Sequence, residues 1–168
     1  MGSDFNDFLG IPWDYGEYGG LDAPEKDEYG QLDCSGFMRM IFGYRSGVPL
    51  TKDFRPGVAI PRISSEMCNR NTSVGTTIVA NNGSRPPSSA YAELNVGDVV
   101  CFDADADDGT IDHVGIFLGV DNQGKHRILS SRMSLNGPTM KDAASGTSPS
   151  VLEGSAWMPN GWRSAIRL

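Results

Sequence analysis

Two kinds of periodicity occupy different parts of this chain, and their order restricts the fold more than any other feature. Near residue 34 apolar side chains recur at helical spacing, with Phe37, Met40, Ile41 and Tyr44 on one face. Asp33 is suited to cap that helix, and Gly47 and Pro49 to end it. A short helix is expected over Ser64 to Asn69 and a short strand over Thr76 to Ala80, whereas Asn81 to Ser89 has the composition of a loop. From Gly97 the pattern turns strand-like. Asp98 to Phe102, His113 to Val120 and His126 to Ser131 read as strands, with a hairpin turn at Asp121-Asn122-Gln123-Gly124 and a last strand from Trp162 to Leu168. A helix early and an antiparallel meander late is the order of an α+β fold.

The length, 168 residues, suits one domain with a hydrophobic core of its own, preceded over residues 1–32 by an irregular arm rich in glycine, aspartate and aromatics. A net charge of −7 argues against nucleic acid and anionic membranes as partners. No apolar run is long enough to span a bilayer, and the first residues lack the basic and apolar regions of a secretory signal. The chain is expected to act as a monomer.

Three cysteines, none in a CxxC spacing, argue against a disulfide framework and a cysteine-rich zinc site, and leave at least one thiol free. Cys34 has the setting of a nucleophile. It falls in the first turn of the expected helix, where free N–H groups and the positive end of the helix dipole favour a thiolate. Ser35 and Gly36 leave the approach open, and their backbone amides could face an oxyanion. A small buried cysteine is the ordinary alternative, and Cys68 and Cys101 are read that way. Of the two histidines, His113 opens a strand where a loop enters the sheet, and from there it can point across to a helix start and take the thiol proton.

Asp33-Cys34-Ser35-Gly36-Phe37 and His113-Val114-Gly115-Ile116-Phe117-Leu118-Gly119, with Leu94 to Phe102 between them and Ile11 to Gly16 upstream, resemble the NlpC family of papain-like cell-wall peptidases. The resemblance implies a helix carrying the cysteine packed on an antiparallel sheet carrying the histidine. It implies hydrolysis of amide bonds in peptidoglycan stem peptides without a cofactor: Cys34 attacks, His113 moves the proton, and water releases the acyl-enzyme. Such proteins commonly carry a third polar residue on the strand after the histidine strand. Ser130 takes that place here, and His126, on the same strand face, is the alternative. Residues 71–90 then read as an insertion and 133–168 as a C-terminal extension. Trp13 stands where the family has a tyrosine, and is a candidate to line the substrate groove.

Arg132 is either a clamp for a substrate carboxylate or an ordinary surface arginine. The run from Asp103 to Asp112 has the carboxylates of a calcium loop, but its glycine is late and no glutamate closes it, so a solvated acidic turn is expected and no metal. An acyltransferase or another amidase would use the same cysteine and histidine, and a catalytically silent wall-binding module is the reading from a different class. The cell wall is the expected location, by a route the residues leave open.

Overall fold

The computed structural model describes residues 32–52, 63–105, 108–135, 137–141 and 149–168, apart from the side chains of Tyr44, Arg45 and Ser134. Trp13 and the rest of the N-terminal arm lie outside them.

Helix α1 runs Cys34–Met38 and continues as a π-helical stretch over Arg39–Arg45. Its start is as expected: the Asp33 side chain accepts from the Gly36 N–H at 2.7 Å. Its end is also where glycine and proline put it, with Gly47 at φ 66° and its N–H bonded to the Gly43 carbonyl. The buried face differs from the regular helical spacing, because Phe37, Met38, Ile41 and Phe42 are buried while Met40 is only partly covered. The widened winding after Met38 changes the phase of the side chains.

Six strands form one sheet in the order β1-β6-β2-β3-β4-β5. They are β1 (Thr76–Val79), β2 (Val99–Phe102), β3 (His113–Val120), β4 (His126–Arg132), β5 (Gly137–Thr139) and β6 (Trp162–Arg167). All the pairings are antiparallel. All but β5 match the expected runs to within a residue. β1 comes from the stretch read as an insertion and pairs with β6 of the C-terminal extension. Two short helices, α2 (Ser64–Met67) and α3 (Trp157–Gly161), complete the elements used below.

The sheet is buried on both faces, which explains the nearly unbroken apolar run of β3. On one side α1 packs with Phe37, Met38 and Ile41 against Val99, Cys101, Val114, Ile116 and Leu129. On the other, Val100, Phe102, Phe117 and Ile128 pack with Met158 and Trp162. Gly115 allows the close approach of β4, since a Cβ there would sit 2.9 Å from the Leu129 carbonyl and 3.2 Å from the Ser130 Cβ. Asp98 fastens the turn before β2 to the end of β6 through two 2.8 Å bonds from the Arg167 guanidinium.

The outer edge of β4 is covered in two pieces. β5 pairs with Ser130, Ser131 and Arg132, while residues 150–152 bond to the other half through Ile128 N–H to the Ser150 carbonyl and Leu152 N–H to the His126 carbonyl. A second departure from expectation lies in the core: Cys68 and Cys101 form a disulfide, with Cα atoms 6.1 Å apart, joining α2 to β2. Parity left one thiol free, and it is Cys34. Among the described residues no helix is long and apolar enough to cross a membrane.

Candidate active site

The N-terminus of α1 meets the sheet where β3 begins. Cys34, almost wholly buried, lies with its Sγ 3.7 Å from the Asp112 carbonyl, and the Val114 N–H also reaches the sulfur. The thiol therefore rests against the main chain on both sides of His113. The Ser35 N–H faces it from its own helix, and the Ser35 hydroxyl is turned away to Asp33 at 3.1 Å.

This environment does not favour a resting thiolate. Burial first, and then the Asp33 carboxylate, push the Cys34 thiol up to about 12, against the opposing pull of the Val114 and Ser35 amides. The helix-start argument made from sequence is overridden, because α1 has only five α-helical residues and its first is buried.

His113 is buried too, but its ring does not meet the sulfur. It packs against Phe102, the residue paired with it on β2, at 5.8 Å between centroids, and edge-on against Trp157 at 5.4 Å. Both aromatics belong to the sheet face opposite α1. Among the described residues no hydrogen bond joins His113 to Cys34, and the buried His113 Nε2 has no partner. Burial and the nearby Arg132 charge lower His113 from its usual 6.5 to about 3.

That shift has a testable sign. Between pH 6.5 and 3 the unfolded chain takes up a proton that the folded one refuses. The stability due to neutral His113 is thus present above 6.5 and lost as the pH falls towards 3, at up to about 1.4 kcal/mol per pH unit. Urea denaturation from pH 7 to 4 should give a shallower loss in His113→Gln than in the unsubstituted chain. Equal slopes would remove His113 as the cause.

Ser130 is buried on β4, and continuing the β3–β4 pairing sets it opposite Gly115 and sets Arg132 opposite His113. It makes no bond to the imidazole, whose Nε2 is unpartnered. His126 is not an alternative. It pairs with Val120 at the far end of β3, seven residues or about 23 Å along the strand from His113. There its Nδ1 lies 2.5 Å from Glu153 and its ring stacks on Tyr91. Arg132 is only 2% exposed, and its guanidinium bonds to the Ser150 hydroxyl at 2.7 Å.

Of the acidic run, Asp107 lies outside the described residues, and Asp103, expected in solvent, is buried. The Asp112 carboxylate accepts from the Ala104 and Asp105 N–H groups, and Asp103 pairs with Arg163. Asp112 thus uses its side chain to fix the loop and its carbonyl to hold the thiol. Among the described residues no group of side chains could hold a metal ion. Sequence reasoning missed Phe102 and Trp157 as neighbours of His113. Phe102 was within reach of strand pairing, whereas nothing local to Trp157 pointed to its place.

The comparisons agree with this architecture. The NlpC/P60 family pattern matches residues 13–158. The chain belongs to the NlpC/P60 family. Members of this family are generally cell-wall cysteine peptidases. The fold is also similar to the crystal structure of an NlpC/P60 family protein from Bacillus cereus ATCC 10987, at TM-score 0.54 and 19% identity, over 99% of this chain. The chain spans 40% of the length of that protein. No curated protein matches it.

Proposed function

We propose that this NlpC/P60 domain is a cysteine peptidase that cuts amide bonds in peptidoglycan stem peptides through an acyl-enzyme on Cys34. One observation carries the proposal: the free thiol lies at a helix start against the backbone that flanks a buried histidine. In the reaction, Cys34 Sγ attacks the carbonyl and His113 takes the thiol proton. The proton passes to the departing amine, and a water activated by the same imidazole releases the acid. The Ser35 N–H, which faces the sulfur, would stabilise the oxyanion. Both groups rest uncharged, and the ring must leave its packing on Phe102 and Trp157 to reach the sulfur before the proton can move.

Ser130, on the strand after that of His113, is the orienting group that the family resemblance offers, although it makes no bond to the imidazole here. Arg132 acts on His113 by its charge, and a substrate carboxylate would have to displace its bond to Ser150 to be clamped. Cys68–Cys101 suits a chain that works outside the cytoplasm, because structural disulfides persist in oxidising compartments.

A silent wall-binding module is favoured by one observation, the absence among the described residues of a Cys34–His113 hydrogen bond. Mass spectrometry of purified muropeptides after incubation with the chain decides between the two. New peptide termini, absent when His113→Ala is used, support the peptidase and identify the bond. Bound but intact fragments favour the module.

A further inference from the structure

We propose that Ser131 is a positioning residue for the nucleophile, holding the chain at the mouth of α1 so that the Cys34 sulfur stays seated against β3. This deepens the peptidase reading above and rests on it. The Ser131 hydroxyl donates to the Leu32 carbonyl at 2.5 Å, from β4 to the residue before the Asp33 cap. Both ends of the bond are buried, with Ser131 at 0% and Leu32 at 2% exposure.

Sequence reading singled out the neighbouring serine, Ser130, as a partner for the imidazole. Neighbours on a strand point to opposite faces of the sheet. Leu129 packs with α1 and Ile128 with the other side, so Ser131 shares the face of α1 and Ser130 the face of Phe102 and Trp162. The pairing with β5 runs without a shift through Ser130, Ser131 and Arg132, which keeps that alternation intact. Of the two hydroxyls, the one that reaches the nucleophile's segment is Ser131.

The bond matters because of what else holds this corner. α1 has five α-helical residues before its winding changes, so its first turn depends on what it packs against. The sulfur meets β3 through the Asp112 carbonyl at 3.7 Å and the Val114 N–H, and sulfur is a weak donor and a weak acceptor. Ser131 ties the same segment to β4 two residues before the sulfur, through oxygen. A buried carbonyl deprived of its donor must turn to water. Water admitted at Leu32 lets the start of α1 shift, and the sulfur then leaves its seat and becomes solvated.

The test reads Cys34, the chain's single free thiol, by iodoacetamide alkylation of the full chain followed by mass spectrometry. In folded Ser131→Ala alkylation should be about tenfold faster or more, and its rate should begin to rise at lower pH, because burial is the first cause of the raised thiol. Muropeptide hydrolysis should move the other way. There kcat falls by up to about 10²-fold, as expected for a misplaced reacting group, with KM within about twofold. Ser131→Thr keeps the donor and should restore both rates. Ser73→Ala, which removes an equally buried hydroxyl bonded to the Gly75 N–H, should change neither.

An unchanged alkylation rate in folded Ser131→Ala overturns the proposal, as does the same acceleration in Ser73→Ala. In a chain that cuts, an unchanged kcat overturns it too. If the alanine variant does not fold, folded Ser131→Thr decides: the alkylation rate of the unsubstituted chain supports the proposal, and a raised one overturns it. Alkylation needs no substrate, so a chain that cuts nothing sinks the peptidase reading while the alkylation ratio still judges Ser131.

Discussion

Cys34→Ala should abolish muropeptide hydrolysis, lowering kcat by about 10⁴-fold or more, the loss typical when a covalent nucleophile is removed. The fold should survive, because the change removes one sulfur and its weak 3.7 Å bond to the Asp112 carbonyl while the Asp33 cap of α1 stays in place. Thermal melts of the two proteins should therefore agree within a few degrees, and the variant should still bind the fragments it no longer cuts. Product released by folded Cys34→Ala at an undiminished rate would end the assignment of the nucleophile. With Cys68 and Cys101 joined to each other, no other thiol among the described residues could take its place.

The second large effect concerns stability. Cys68 and Cys101 are 33 residues apart in sequence, and closing a loop of that length in the unfolded chain corresponds to about 4 kcal/mol in the chain-entropy description. The double variant Cys68→Ala/Cys101→Ala also removes a fully buried side chain from the centre of β2. It should unfold at distinctly lower urea concentration than the unsubstituted chain. Adding reductant should bring the unsubstituted chain most of the way to the variant's midpoint and leave the variant unmoved. Identical midpoints for all three samples would mean that the crosslink contributes nothing. Such dependence on a crosslink fits a domain that matures where thiols are oxidised.

Sequence reading succeeded where local pattern and tertiary demand coincide. β3 was legible to the residue because a strand buried on both faces must be apolar along its whole length, and Gly115 is forced by the approach of β4. The start of α1 was legible because a cap is a local device. β5 was not, since Gly137-Pro138-Thr139 has little strand propensity and exists as a strand only by pairing with Ser130 to Arg132. The π winding after Met38 left no mark in the spacing of apolar residues.

At the candidate site the residues were nameable but their states were not. A helix start argues for an acidic thiol, yet burial outweighs it at Cys34. The setting of His113 depends on Trp157, 44 positions away, and on Arg132, brought beside it by register. Cys68 and Cys101 carried no motif, and only the tertiary fold brings them together.

The two-piece covering of β4 bears on how a peptide can arrive. Many peptide-binding proteins recruit their ligand as one more strand, through a continuous ladder of unpaired amides at a sheet margin. Beside the candidate site that ladder is already occupied by β5 and by residues 150–152 of the same chain. Under the proposed function, a peptide would not add as a strand at this margin and would come in over the strand ends instead. Its recognition then rests on side chains and loops, and not on main-chain zippering.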